Sequence, residues 1–564
     1  MRKKFYLFLL VSTLLFGQKL ELHFDGNKYI TSSELYSSLD LQEPRFYEFY
    51  KKPPFIDSKI VDLSIQTLKD YYKTRGFFDA VIESKIDKEN LFLVIKENNP
   101  IVIKDISNIS DLKIDEAIFF KVGDIFDSDR FIQSKKDIKL FYANNHFCNP
   151  NVEAKAWLDS ENHAAYLTYE SSKNKKCYFK NIEIKPSKDI DENTIRSVLY
   201  LQEDMEFSLS AITKSYEELY AYEGISKAII DTDMQQDEFV HVNVSVVQNE
   251  KPLRFESGIG VSSDEGAMVS VGVLDRNFLG NLKTLSLKGR VTQVKQDIKL
   301  NFDMPMVNKN FTGFEVGFEN EKYLGFSESK LYTDLYLKQR RDKHTFKESL
   351  LFDSINTYKS DDMLLFPINQ LFILSPKLEY IYDTRDKILD PRSGYFIKGE
   401  LLGSLKSSVS DATYYKLKAT AGTINTIEKI TFALKADYGF LKLHDGELPT
   451  SYGFFAGGMH SNRGYSYRKL GPQNSMGDPI GFDSIFETTA EVRFGIYGDF
   501  KGVVFSDNSF LSQDSTTDFS SGYHSIGFGF RYLTPIGPIA IDIGFDVENP
   551  KEQYAIHFHI GELF

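Results

Sequence analysis

The sequence predicts three α+β modules followed by a 16-stranded antiparallel β-barrel that crosses a membrane. Three observations carry this expectation. The texture changes near Lys251-Pro252: helical and strand patterns mix before it, whereas glycine, tyrosine and phenylalanine rise after it and helical periodicity nearly vanishes. The N-terminal part holds a repeat of roughly 70–80 residues. The C-terminal part alternates apolar with polar or small residues, and its longest connections fall at every other position.

The chain of 564 residues is too long for one ordinary core. Its formal charge of -13 argues against a nucleic-acid partner, because phosphate contacts need clustered Lys and Arg. The 47 Phe and 32 Tyr suit β structure or a membrane-interface belt. Residues 1–17 read as a secretory signal. Arg2, Lys3 and Lys4 form its positive head, and Phe5 to Phe16 its apolar run of about 12 residues, too short to span a bilayer as a mature helix. No later apolar run reaches helix-spanning length, so a membrane location requires a closed barrel. Export permits a disulfide between Cys148 and Cys177, but sequence cannot supply their separation; a bonded pair and two buried thiols both stand.

Each module reads β-α-α-β-β, over 18–98, 99–172 and 173–250. The first runs from Lys19 to Phe24 through helices near Thr31–Asp40 and Ser58–Thr74. It closes with GFFDAVIESKI and LFLVIKE. In its second helix Ile60, Leu63, Ile65, Leu68 and Tyr72 recur at helical spacing. The second module runs from IVIKDI through a helix at Asp129–Tyr142, with its first helix poorly marked. The third starts at CYFKNIEI, with helices near Glu192–Tyr200 and Leu209–Tyr222. At the junctions from helix to strand, Gly76, Asn145 and Gly224 suit a left-handed helix end.

The barrel is expected over 251–564. In its last strands Ile539, Ile541, Ile543, Phe545 and Val547 are apolar, while Ala540, Asp542, Gly544 and Asp546 interleave. Apolar residues outside and polar or small ones inside mark a membrane barrel. The gaps near 355–371, 442–483 and 508–522 then lie at one end, as long outer loops do.

The segment GGMHSNRGY, Gly457 to Tyr465, sits in the longest loop. An arginine there wants a carboxylate, and Glu491 in TTAEVRF and Asp507 in VVFSDNS are the candidates. Catalytic signals are poor. GMHSNRG around Ser461 is not a nucleophile elbow, His557 and His559 lack a third ligand nearby, and no nucleotide-binding fingerprint appears. Catalytic, metal and cofactor sites are therefore all expected to be absent.

These residues resemble the outer-membrane assembly superfamily that includes BamA, TamA and the two-partner secretion transporters. NRGY looks like its (V/I)RG(F/Y) loop motif, with Asn462 in place of the apolar residue. DTRDKILDPRSGY, RYLTPIGPIAIDIG and FHIGELF are similar to further family segments. The resemblance implies periplasmic POTRA domains before an outer-membrane barrel in a Gram-negative bacterium. It also implies a lumenal latch of Arg463, Gly464 and Tyr465 on Glu491 and Asp507, with Phe558, Ile560, Gly561 and Phe564 as a C-terminal barrel signal. Three such domains look most like the TamA branch. The implied work is insertion of autotransporters and other β-barrel clients into outer-membrane lipid. Clients would pair at a weak seam between the first and last strands, and a TamB-like inner-membrane-anchored partner would dock at the POTRA domains. The alternatives are a two-partner secretion transporter or, with less support, an outer-membrane phospholipase or porin.

Overall fold

The computed structural model describes residues 19–42, 54–236, 238–306, 310–388, 390–428, 430–497, 499–534 and 539–560. The expected signal and the terminal Gly561 and Phe564 lie outside the described residues. The chain forms two compact units. One holds the chain as far as Ile182, which includes the first two modules, together with Leu201–Thr213 and Thr232–Val242. The other holds Glu183–Tyr200, Lys214–Asp231 and Asn243–Phe564.

In the first module the strand Lys19–Asp25 runs parallel to Asn90–Lys96, and Val81–Asp87 forms one edge of the sheet. Helices Ser32–Ser38 and Val61–Thr74 close over Leu20, Leu22, Leu91 and Leu93 with Leu35, Leu68 and Tyr72. Thr31 and Glu34 start the first helix with a reciprocal capping box, which satisfies two backbone donors that no helical carbonyl reaches. The opposite sheet edge is a strand that the sequence pattern does not reveal, Phe55–Asp57; three residues are too few to show alternation. The edge strand Val81–Asp87 takes up the second half of GFFDAVIESKI, with Val81 and Ile86 exposed.

The second module keeps one long helix, Ser128–Asn144, capped by Asp127. Its weakly marked first helix shrinks to the single turn Asp115–Ala117. The third has helices Glu192–Val198 and Leu209–Tyr220 with a three-stranded sheet. The junction expectation holds for Gly76, at φ +89°, and fails elsewhere. In the second module Asn145 has φ -97°, and the next residue, His146, takes the left-handed turn at φ 73°. Gly224 is not left-handed; an added Cβ there would lie 2.6 Å from the Arg276 carbonyl oxygen, so close approach is what demands glycine. Cys148 and Cys177 form a disulfide, their Cα atoms 5.8 Å apart. It ties the helix–strand junction of the second module to the segment that opens the third.

The remaining sixteen strands, from Leu253–Ser262 to Tyr554–Ile560, pair antiparallel with their sequence neighbours. No described helix is long and apolar enough to cross a membrane. Alternation sorts the faces. On the last two strands Ile541 and Ile556 are exposed, whereas Asp542 and His557 between them are buried inward. Connections 361–369, 447–483 and 513–522 share one end of the barrel, as expected; the other end also carries moderate turns at 276–283 and 384–392. Among the described residues no ladder joins the first strand to the last. Their backbones meet where the Ser263 N–H donates to the Phe558 carbonyl at 3.1 Å.

Candidate functional site

The loop 447–483 folds back on itself and is anchored by apolar packing. Phe454 and Phe482 exchange two backbone hydrogen bonds at its neck, 2.8 and 2.9 Å. Phe454, Ala456, Leu470 and Phe482 form a buried cluster with the wall residues Leu441, Ile485 and Leu511. Such burial fixes a loop whose own backbone has few regular partners. Gly457 and Gly458, at φ +96° and +109°, then turn the chain toward the wall of strands twelve to fifteen.

Arg463 arrives there fully buried. Its Nε and Nη2 donate to the two Asp507 oxygens at 2.8 and 2.9 Å, the bidentate geometry a guanidinium favours. Its Nη1 donates to Glu491 at 2.6 Å and to Asp542 at 3.3 Å. Its backbone N–H also donates to Asp507, at 3.0 Å. The Phe505 ring lies under the guanidinium, 3.4 Å from centroid to carbon. The sequence singled out Glu491 and Asp507, and both meet Arg463.

Four participants escaped the sequence reading: Asp542, Arg531, Arg493 and Phe505. Arg531 donates to both Asp542 oxygens, and Arg493 Nε donates to Glu491 at 2.9 Å. Three guanidinium groups thus face three carboxylates in a water-excluded site. Balance matters here, because a buried charge that loses its partner costs several kcal/mol. Glycines make the room. A Cβ on Gly529 would strike Asp542, and one on Gly527 would lie 2.3 Å from the Phe505 ring. On Gly544 it would meet the Arg463 carbonyl oxygen at 2.3 Å. Inward-facing charges and glycines on alternating strands are the signal that could have found these residues.

The residues around Arg463 are equally committed. Asn462, the departure from the apolar motif position, uses its whole amide. It donates to Ser509 Oγ and the Tyr523 carbonyl at 3.3 and 3.2 Å. It accepts from Ser525 Oγ and the Gly464 N–H at 2.6 and 3.1 Å. Gly464 is required by space, since its Cβ would lie 2.1 Å from Ser525 Oγ; a left-handed turn is not the reason. Tyr465 donates to Asp546 at 2.8 Å and meets the Tyr523 ring edge-on. Ser461 donates to Glu487 on the wall. Along the opposite wall Lys295, Glu319, Lys330, Lys377 and Glu400 form ion pairs around a lumenal cavity of about 480 Å³. At the C-terminus Phe558 and Ile560 sit on the outward face, opposite to His557 and His559.

Comparison with known proteins agrees with this architecture. The Omp85 superfamily domain matches residues 277–564. A POTRA repeat, described as a surface antigen variable number repeat, matches residues 21–104 and 98–171. An outer membrane protein assembly factor BamA from Nitratidesulfovibrio vulgaris is 22% identical, over 97% of this chain and 74% of its own length. BamA from Haemophilus ducreyi lacking POTRA domains 1–3 shares the fold, with a TM-score of 0.61 at 17% identity, covering 82% of this chain and 99% of that one. CdiB from Escherichia coli superposes with a TM-score of 0.51 at 12% identity, covering 89% and 96%.

Proposed function

The chain belongs to the Omp85 superfamily, and we propose that it inserts autotransporters and other β-barrel clients into the outer membrane. The barrel lies in that membrane with its POTRA domains in the periplasm. The observation that carries the proposal is the unpaired seam. Among the described residues the first strand, Leu253–Ser262, and the last, Tyr554–Ile560, each pair on one side only. An unpaired strand edge templates an incoming strand. A client hairpin that adds there buries its apolar face in lipid as it forms, which supplies the driving force without a cofactor or catalytic group. In this reading Arg463, Gly464 and Tyr465 are the latch that keeps the lumen filled, and Glu491 and Asp507 are its partners on the wall.

The finer assignment is to the TamA branch. Three α+β modules support it, and a TamB-like protein docking at the POTRA domains goes with it. The edge strand Val81–Asp87 offers backbone groups for such docking. The second reading is a two-partner secretion transporter. A pore must clear its lumen, whereas this latch is buried by apolar packing at its neck and by charge at its tip; that favours the seam.

The test uses purified full-length protein in liposomes. Folding of an unfolded barrel client should be faster than in empty liposomes, and a cysteine pair locking the first strand to the last should abolish the gain. Acceleration that survives the lock would sink strand pairing. No acceleration, with export of an extended polypeptide, would favour the transporter.

A further inference from the structure

Resting on the seam as the working site, we infer that Asp264 and His557 form a clasp across it that the latch loop holds shut, so that withdrawing the loop frees the last strand from the first hairpin. Asp264 lies in the turn after the first strand, and His557 on the last. His557 Nδ1 sits 3.4 Å from Asp264 Oδ1 and 3.3 Å from Ser263 Oγ. Both side chains are almost fully buried, 5% and 2% exposed, although among the described residues the first and last strands share no ladder.

The loop touches both halves. Asp264 Oδ2 accepts from the Met459 N–H at 3.0 Å. His557 Nε2 faces the Arg463 carbonyl at 3.1 Å; that oxygen can only accept, so the ring nitrogen donates. Gly458 permits the approach: a Cβ there would lie 2.7 Å from Asp264 Oδ2. Arg463 therefore serves two purposes. Its guanidinium grips the wall at Asp507, while its carbonyl secures the last strand. A loop that leaves takes a partner from each side of the seam at once: Asp264 Oδ2 loses the Met459 donor and His557 Nε2 loses the Arg463 acceptor. Asp264 and His557 are positioning residues: they set whether the edge is available, and they touch no client.

Spin labels on cysteines at Ile259 and Ile556, outward on the first and last strands, report the seam width. The native cysteines are tied to each other and leave only the new thiols to label. His557→Phe keeps the ring and removes both nitrogens. Asp507→Asn loosens the latch without touching either clasp residue. Each should raise the open fraction about tenfold, and the double variant should rise no further than the larger single. A wild-type distance distribution in folded Asp507→Asn, or effects that multiply, would overturn the coupling. Should Asp507→Asn not fold, Gly458→Ala pushes the loop off Asp264 by its methyl and its strained φ while leaving the Asp507 side chain in place: an open seam supports the clasp, and a closed one refutes it. A protein that opens in this way yet folds no client keeps the clasp and loses the proposed function.

Discussion

The twelfth and first strands of the barrel belong to one sheet and are built on opposite principles. Along Ser484–Tyr497 buried residues alternate through most of the strand, and the inward ones hold an ion pair to Arg463 and a hydroxyl contact to Ser461 of the loop. Along Leu253–Ser262 no residue is buried; Phe255 and Ile259 are 77% and 87% exposed, and among the described residues the edge has no ladder partner. The wall that carries the latch gathers buried side-chain bonds, whereas those of the first strand, from Arg254 to Glu223 and Glu256 and from Lys288 to Glu256, join partly exposed side chains. Breakage under load would begin where least is bonded. The proposed function, opening at one line and holding everywhere else, requires such asymmetry.

Arg463→Ala should break this asymmetry most. It leaves Asp507 and Glu491 buried with a cation missing, which costs about 3–5 kcal/mol. The urea midpoint of the barrel in detergent should fall sharply. An unchanged midpoint would mean that the latch contributes nothing to holding the wall. Gly464→Ala comes next. Its methyl would collide with Ser525, and overpacking of this kind costs about 1–3 kcal/mol. Adding Ser525→Gly should recover much of the loss, because it removes the colliding hydroxymethyl. Without rescue, the glycine acts through the backbone instead of through space.

Asn462→Leu restores the apolar residue at the family's motif position, and it should still destabilise. Leucine fills the volume but leaves the Ser525 hydroxyl and the Gly464 N–H without their acceptor. An unsatisfied buried polar group costs about 1–3 kcal/mol. A gain in stability would show that the amide network is dispensable in this chain.

What the sequence revealed follows from periodicity. Alternation such as Ile539, Ile541, Ile543 and Phe545 is local, so the strands and the ends of the long loops could be read from it directly. The Arg463 partners Glu491 and Asp507 were legible through motif position. Asp542 was visible only as an inward residue, since its distance to Arg463 depends on the stagger of strands around the barrel, which no single strand encodes. The same holds for Arg531 and for Phe505, whose ring needs the absent side chain of Gly527 on the next strand. In the modules, Phe55–Asp57 was too short to register, and His146 took the left-handed position where Asn145 has the better intrinsic preference. The disulfide required three-dimensional proximity, a Cα separation of 5.8 Å across 29 positions of sequence.

The smallest effect should come from the seam, and that smallness is the sharpest test of the contrast. Ser263→Ala removes a hydroxyl that lies 3.3 Å from His557 Nδ1 and 3.4 Å from the Phe558 N–H, both long contacts. The backbone bond from Ser263 to the Phe558 carbonyl survives. Global stability should therefore change by less than about 1 kcal/mol, so the urea midpoint stays close to wild type. The open fraction read by the spin labels should nevertheless rise, because the hydroxyl belongs to the few groups that bridge the two edges. A large drop in midpoint would mean that the seam bears structural load like any other strand pair. The division of labour between a bonded wall and a yielding edge would then be lost.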